Sequence, residues 1–272
     1  MSRRIVWFAD AECANVERAG GKGASLAAMT AGGLNVPPGF VVSADVLGSS
    51  VDAERLRRLA QAGDHEGAQV LVREADVPRE EIEAAYEQLG GGLVAVRSSA
   101  CAEDSEAASS AGQQETYLNV FGATEVSRYV VECWASFFSE RALFYRAQKG
   151  SLDDLGMAVV VQRMVEPVKS GVLFTIDPVQ RRRDRMIVEA VFGLGEQVVS
   201  GHMTPDHYVV DRSGAVKRSH LVSGGVLEPE DLSALADLGR LLEERFGCPQ
   251  DVEWAIGGGT LYLLQSRPVT TL

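Results

Sequence analysis

The stretch DVEWAIGGGTLYLLQSRP, residues 251–268, carries alternating polar and apolar residues on either side of three consecutive glycines. Glycine supplies the positive φ that a tight hairpin turn requires. The stretch therefore predicts two antiparallel strands joined by a turn centred near Gly259. Because side chains alternate between the two faces of a strand, this register decides which residues of the hairpin share a face.

Four polar residues are predicted to share one face of the hairpin. The register sets Glu253 opposite Gln265. Two residues further from the turn, Asp251 lies opposite Arg267. Two acids, an amide and a guanidinium on one patch suit a cation bound to polyphosphate, because Mg²⁺ takes few protein oxygens and shares the rest with phosphates. The alternative is a surface face with one Asp–Arg ion pair. The other face is predicted to carry Trp254, Ile256, Tyr262 and Leu264.

The composition is that of an ordinary globular chain. The 272 residues are 46% hydrophobic and 24% charged, which allows one large domain or two small lobes. A formal net charge of −12 argues against non-specific nucleic-acid binding, which depends on neutralising phosphates. The four cysteines are widely spaced, so a reducing cytoplasm is expected rather than a disulfide framework. No stretch approaches the ~20 apolar residues that cross a bilayer, and neither nucleic acid nor membrane is an expected partner.

A glycine-rich turn that opens a helix is predicted at Gly20-Gly21-Lys22-Gly23. Free N–H groups and the helix dipole attract anions at such a place, so Lys22 is a candidate phosphate ligand. The motif is not a P-loop, because Val16 stands in place of the first glycine and Gly23 follows the lysine where Ser or Thr is required. A solvated lysine in a turn is the alternative interpretation.

A second candidate anion site follows a buried strand. Residues 93–96 predict this strand, and Arg97, Ser98 and Ser99 come directly after it. The carboxyl end of a strand is a common place for an anion site. For the two serines and for Thr116, phosphate contact and local turn hydrogen bonds both stay open.

The rest of the pattern predicts a mixture of helices and strands. Residues 52–89 predict about three helices, which Pro78 interrupts. The longest helix is predicted over residues 125–149, and an amphipathic helix over residues 229–246. Strands are predicted at residues 5–8, 40–42, 93–96, 117–120, 158–164, 171–176, 186–191 and 207–210.

Eight motifs in a fixed order carry a resemblance to a known family. Together they resemble the N-terminal nucleotide-binding domain of phosphoenolpyruvate synthase and pyruvate phosphate dikinase, and rifampin phosphotransferase has a similar domain. The resemblance runs roughly from Ile5 to Thr270. The motifs are GGKGASLAAM (20–29), VPPGFVVS (36–43), AVRSSACAED (95–104), AGQQETYLNV (111–120), VVVQRMVEPVKSGVLFTIDP (159–178), EAVFGLGEQVVSG (189–201), PQDVEWA (249–255) and LLQSRPVT (263–270).

The resemblance implies an ATP-grasp-type α+β fold, in which two lobes with mainly antiparallel sheets clasp the nucleotide. We expect one such module over residues 1–272, with lobes of about 1–112 and 113–272. The family's phosphohistidine and acceptor domains are expected to be absent, because none of the four histidines lies in a motif like the phosphohistidine site. His202 and His207 are interpreted as structural.

The resemblance also implies roles for individual residues. Lys22 and Arg97 match residues that contact the ATP phosphates, and Arg267 matches an arginine that supports charge on the transferring group. Residues 112–116, which end at Thr116, match a loop that closes over the triphosphate. Glu253 and Gln265 match the metal-binding pair. The hinge that contacts adenine is matched by Gln162, Arg163, Met164 and Val165.

The function implied is that of a cytoplasmic ATP-binding phosphotransferase subunit. It cleaves MgATP and passes a phosphoryl or pyrophosphoryl group to a histidine on a separate carrier protein. Two alternatives stay open: a stand-alone kinase that acts directly on a small-molecule acceptor, and a nucleotide-binding regulator without catalysis. ATP and Mg²⁺ are the expected cofactors. Cys101 departs from the family, whose members commonly have a threonine there.

Overall fold

The chain divides into two compact units. Unit 1 comprises Met1–Gly32 and Pro38–Met164, and unit 2 comprises Gly33–Pro37 and Val165–Leu272. Each unit contains one sheet, of five strands in unit 1 and six in unit 2. The computed structural model describes residues 3–101, 115–195 and 204–269.

The sheet of unit 1 has the strand order β1-β2-β5-β3-β4, and its neighbouring strands are antiparallel. Because β5 pairs with both β2 and β3, the chain as far as Met164 belongs to unit 1. The division therefore falls later than the expected lobe boundary at residue 112. The strands are β1 (Ile5–Trp7), β2 (Gly39–Val42), β3 (Val94–Ala100), β4 (Thr116–Val120) and β5 (Met157–Arg163).

Helices α2 to α6 pack with one face of this sheet into a hydrophobic core. The three helices predicted within residues 52–89 are α3, α4 and α5. The predicted long helix over 125–149 is wrong: it is two helices, because Ser139 is extended and its side chain caps the second helix. The helices are α1 (Val16–Ala31), α2 (Asp45–Ser50), α3 (Ala53–Ala62), α4 (His65–Arg73), α5 (Arg79–Gln88), α6 (Ala123–Ser136) and α7 (Glu140–Lys149).

The sheet of unit 2 has the order β11-β10-β6-β7-β8-β9, again with antiparallel neighbours. The predicted class, α+β with mainly antiparallel sheets, is thus confirmed. The amphipathic helix is confirmed over Pro229–Phe246, with Gly247 in the left-handed conformation at its end. The elements are β6 (Lys169–Phe174), β7 (Arg185–Phe192), β8 (Asp206–Asp211), β9 (Val216–His220), α8 (Pro229–Phe246), β10 (Gln250–Gly257) and β11 (Thr260–Pro268).

Within the described ranges, every helix is too short or too polar to span a bilayer.

The predicted hairpin forms between β10 and β11. Gly257 pairs with Thr260, so the turn residues are Gly258 and Gly259, whose φ angles are 57° and 75°. Positive φ at both central residues is the backbone of the tight hairpin turn that glycine favours. The turn fixes the register of the pairs from Gly257–Thr260 to Trp254–Leu263.

A β-bulge between Glu253 and Trp254 changes the register towards the turn. Trp254 lies opposite Leu263, and Tyr262 lies opposite Ala255. Tyr262 therefore shares the face of Glu253, and its predicted place beside Trp254 is wrong. The reason is the extra residue, Leu264, which a strict alternation of side chains does not include.

A buried carboxylate anchors the segment that follows β9. Asp206 is 0% exposed. Its Oδ1 accepts hydrogen bonds from the backbone N–H groups of Val222 and Ser223 at 2.6 and 2.7 Å. Its Oδ2 accepts from those of Gly225 and Val226 at 3.0 and 2.8 Å. One side chain thus satisfies four backbone donors that sheet pairing leaves over.

We expect Asp206→Asn to lower the free energy of unfolding by about 2 kcal/mol or more, because buried donors left unsatisfied cost about 1–3 kcal/mol. The amide nitrogen would face two backbone N–H groups. Urea unfolding monitored by circular dichroism measures the change. Asp237→Asn is the control, since Asp237 is exposed on α8 and pairs with Arg240; its effect should stay below about 1 kcal/mol.

The difference between wild type and Asp206→Asn should depend on pH. Burial alone would raise the pKa of Asp206, but the hydrogen bonds from Ser223, Val226, Val222 and Gly225 bring it below its ordinary value. The stabilisation is therefore present above the unfolded pKa of about 3.9 and is lost as the pH falls through the lower folded pKa. A difference that grows as the pH drops from 5 to about 3 would contradict this account.

Candidate functional site

In unit 1, Arg97 and Thr116 meet on one face of the sheet. Arg97 lies inside β3 rather than after it, because the strand continues to Ala100. It pairs with Thr116 of β4 on one side and with Val160 of β5 on the other, and Val160 pairs with Val41 of β2. Residues directly opposite one another share a face. Two predicted site residues are therefore cross-strand neighbours.

Gln162 lies on the same face of the sheet. It is two residues beyond Val160 on β5 and pairs with Gly39 and Ala95, so it shares the face of Arg97 by strand alternation. Gln162 is 3% exposed and Arg97 is 8% exposed. Both are polar groups held in a largely desolvated environment.

Helix α1 packs on this polar face. A Cβ atom at Gly23 would lie 3.0 Å from Val41 Cγ2 and 3.7 Å from Val160 Cγ2. Val160 is the direct neighbour of Arg97. Gly23, the neighbour of Lys22 in α1, therefore lies close to Val160, which is the cross-strand neighbour of Arg97.

The surroundings of Lys22 differ in part from the prediction. Helix α1 begins at Val16, where the side chain of Asn15 caps it, so the glycine-rich segment does not start the helix. Gly20 interrupts it with φ 65° and ψ 173°. Lys22 is thus in the first turn after a kink, which is the place where helix N–H groups lack partners.

Electrostatic interactions with a buried thiol locate two charges near α6. Burial raises the pKa of Cys133; Glu115 raises it further, while Lys22 lowers it. Glu115 directly precedes Thr116 on β4. Lys22 and Glu115 therefore have opposite effects on the pKa of the same thiol.

The two serines beside Arg97 make hydrogen bonds to other segments of unit 1. The Ser98 hydroxyl donates to the carbonyl oxygen of Glu115 at 3.3 Å. The Ser99 hydroxyl donates to Ala19 O at 2.8 Å and accepts from Gly23 N–H at 3.2 Å. The partners of the two hydroxyls lie 17, 80 and 76 positions away along the chain, so these are tertiary hydrogen bonds rather than the local turn bonds that the sequence left open.

The predicted hinge uses part of its backbone within unit 1. Arg163 N–H donates to Pro38 O at 2.9 Å, and Met164 N–H donates to Leu93 O at 2.8 Å. The Arg163 guanidinium donates to Leu89 O at 2.5 Å, at the end of α5. Because these two N–H groups already have partners, adenine contacts of the predicted kind would be made by hinge carbonyl groups and by the N–H of Val165.

In unit 2, the predicted pairs of the hairpin are both observed. Glu253 lies opposite Gln265, and Asp251 lies opposite Arg267. The Arg267 Nε and Nη2 atoms lie 2.8 and 2.7 Å from Asp251 Oδ2. The Asp251 side chain is 12% exposed and that of Arg267 is 56% exposed. The carboxylate is therefore enclosed, whereas the guanidinium it holds reaches solvent.

Two further residues share this face, and periodicity along the chain gave no signal for them. Glu253 pairs with Val172, Val172 with Glu189, and Glu189 with His207. His207 Nδ1 lies 3.5 Å from Glu189 Oε1. The polar row thus crosses the sheet from Gln265 to His207, because four strand registers align.

The acids of this face affect one another. Burial raises the pKa of Asp251 above its ordinary value. Arg267 lowers it, but Glu253 and Glu189 raise it again, and the net shift is upward. The face thus concentrates negative charge in a partly desolvated place, which favours a cation there.

The donor atoms of this face fit Mg²⁺. Glu253 offers a carboxylate and Gln265 an amide oxygen, the hard oxygen ligands that Mg²⁺ prefers. Among the described residues, no group of three or more His, Cys, Asp or Glu side chains is arranged to hold a metal ion. Two protein oxygens with phosphate oxygens completing the shell agree with both observations.

Some predicted features lie outside the described residues. These are Gly112 to Gln114 of the predicted phosphate loop, and His202. Thr116 is the part of that loop that the structure describes within a strand.

Known proteins resemble this chain over nearly its whole length. The family model of the pyruvate phosphate dikinase AMP/ATP-binding domain matches residues 16–225 and 215–272. A probable phosphoenolpyruvate synthase of Archaeoglobus fulgidus is 41% identical over 98% of this chain and 42% of its own length. The phosphoenolpyruvate synthase of Pyrococcus furiosus is 36% identical over 99% of this chain and 44% of its own length. A rifampicin phosphotransferase of a Streptomyces species is 40% identical over 99% of this chain and 36% of its own length.

The chain therefore spans less than half the length of these curated relatives. The motif-based resemblance is confirmed. Since the family model matches nearly the whole sequence after Asn15, the chain belongs to the family of pyruvate phosphate dikinase AMP/ATP-binding domains.

Proposed function

We propose that this chain binds MgATP and acts in phosphoryl transfer, passing a phosphoryl or pyrophosphoryl group to a histidine on a carrier protein. The observation that carries the proposal is the register of β10 and β11, which sets Glu253 opposite Gln265 and places the Asp251–Arg267 pair beside them. Oxygen ligands for a cation and an exposed guanidinium on one face suit a metal-bound polyphosphate. Membership of the family supports the same reading.

The residues of unit 1 are proposed to bind the phosphates and the adenine. Lys22 and Arg97 supply positive charge, and Thr116 lies directly opposite Arg97. Phosphoryl transfer needs mainly positioning and charge stabilisation, so two cations on rigid elements match the requirement. The hinge residues 162–165 are proposed to contact the adenine.

The residues of unit 2 are proposed to bind the metal and support the transferring group. Glu253 and Gln265 would hold Mg²⁺, which neutralises phosphate charge when bound. Arg267 would stabilise the charge of the transferring group. Asp251 orients Arg267, since two of the three guanidinium nitrogens contact one carboxylate oxygen.

We expect Glu253→Ala and Arg267→Ala each to lower ATP turnover by about a hundredfold or more, as loss of a single charge-stabilising group does in other enzymes. Glu244→Ala and Arg245→Ala on α8 are matched controls, because both residues are exposed and α8 packs on the other face of the sheet. Calorimetric titration with MgATP and circular dichroism separate binding from folding. Full turnover in the Glu253 variant would rule out its role at the metal.

The nucleotide product distinguishes the proposed function from its alternatives. With a carrier protein present, we expect AMP, because either the pyrophosphoryl group passes to the histidine whole, or the β-phosphoryl group passes to it and the γ-phosphate is released as inorganic phosphate. Chromatography of the products after incubation with MgATP measures this. ADP formed with a small-molecule acceptor alone would indicate a direct kinase. Tight MgATP binding without AMP or ADP in any mixture would indicate a regulator.

A further inference from the structure

We infer that Ser99 is a positioning residue that holds Lys22 in place, and that its hydroxyl does not contact the phosphates. The inference rests on the proposed function, in which Lys22 binds ATP phosphate. Both residues lie in unit 1.

The Ser99 hydroxyl is inserted into the hydrogen-bond ladder of α1. In a regular helix, Gly23 N–H would donate to Ala19 O, four residues earlier. Here Gly23 N–H donates to Ser99 Oγ at 3.2 Å, and Ser99 Oγ donates to Ala19 O at 2.8 Å. A side chain inserted between these partners is a recognised cause of a helix kink. The hydroxyl therefore bridges the interruption that precedes Lys22.

The backbone at Gly20 fits closely against the strand that carries Ser99. A Cβ atom at position 20 would lie 2.1 Å from Ser99 O and 2.3 Å from Ser99 Oγ. With φ of 65°, Gly20 also adopts a conformation that other residues rarely take. The kink at Gly20 therefore brings the backbone of α1 into close contact with Ser99, and a side chain at position 20 would prevent this contact.

The chemistry of the hydroxyl excludes donation to a phosphate. A serine hydroxyl has one proton, and Ser99 gives it to Ala19 O. The residue is 0% exposed, so a phosphate oxygen has no access to it. Its remaining function is to hold the segment from Gly20 to Gly23 on β3.

The same strand carries Arg97, two residues earlier and on the same face. Ser99 therefore fixes the segment of Lys22 relative to the strand of the second proposed phosphate ligand. Without the hydroxyl, two outcomes are open to α1: Gly23 N–H and Ala19 O stay unsatisfied, or they bond directly and the kink closes. Either outcome moves or loosens Lys22.

A double-mutant cycle with MgATP tests this role. We expect Ser99→Ala to weaken MgATP binding by about tenfold, and Lys22→Ala to weaken it by at least as much. If Ser99 acts through Lys22, the double variant binds no worse than Lys22→Ala alone, because coupled residues are not additive. Titration calorimetry gives the four dissociation constants. Full additivity, or unchanged binding by Ser99→Ala, would overturn the inference.

Ser127→Ala is the matched control. Ser127 is also a buried serine of unit 1, and its hydroxyl contacts Glu83 Oε1 and Thr124 O at 3.1 and 3.0 Å. It should lose comparable stability and keep wild-type MgATP binding. An equal loss of binding in both variants would assign the effect of Ser99 to general destabilisation and reject the positioning role.

Ser99→Cys covers the case in which Ser99→Ala does not fold. The thiol fills the site but is a weak donor, so MgATP binding should fall between those of wild type and Lys22→Ala. Wild-type binding in this variant would count against the inference. Two other outcomes test the proposed function rather than the role of Ser99. If the wild-type protein does not bind MgATP, the proposed function is wrong. If Lys22→Ala binds MgATP as tightly as wild type, the proposed role of Lys22 is wrong.

Discussion

The register of the β10–β11 hairpin is the constraint on which the polar face of unit 2 depends. Side chains alternate with a period of two, so a slip by one residue would move Glu253 and Asp251 to the opposite face, against α8. The turn at Gly258 and Gly259 prevents such a slip, because the positive φ angles of these glycines fit a two-residue connection. The bulge then adds one residue, Leu264, to β11, and it is this extra residue that sets Glu253 opposite Gln265 and Asp251 opposite Arg267.

Both sheets follow the same physical scheme. One face of each sheet is apolar and packs against helices, where valines such as Val159 and Val252 are fully buried. The other face carries polar groups in rows that cross several strands. In unit 1 the row contains Arg97 and Thr116, and in unit 2 it runs from Gln265 to His207. In unit 1 this second face also contains Val41 and Val160, which are fully buried beneath α1, so its polar residues lie beside residues of the core.

Buried polar groups in this protein are held by specific partners, as their desolvation requires. Asp206 accepts four backbone N–H groups, and Ser99 joins a broken helical hydrogen bond. Asp251 holds Arg267, which leaves the guanidinium ordered but accessible. In each case, the interaction that satisfies a buried polar group also holds a neighbouring segment or side chain in place.

The sequence by itself determined the local features: the hairpin with its glycine turn, helix α8, the three helices α3 to α5, and the family through ordered motifs. These depend on turn residues, caps and periodicity, which act over a few positions. Only the tertiary structure decided the bulge that moves Tyr262, the alignment of Glu189 with Glu253, and the bonds of Ser99 and Asp206. Those contacts join residues up to 80 positions apart, and their geometry depends on strand registers that no local pattern specifies.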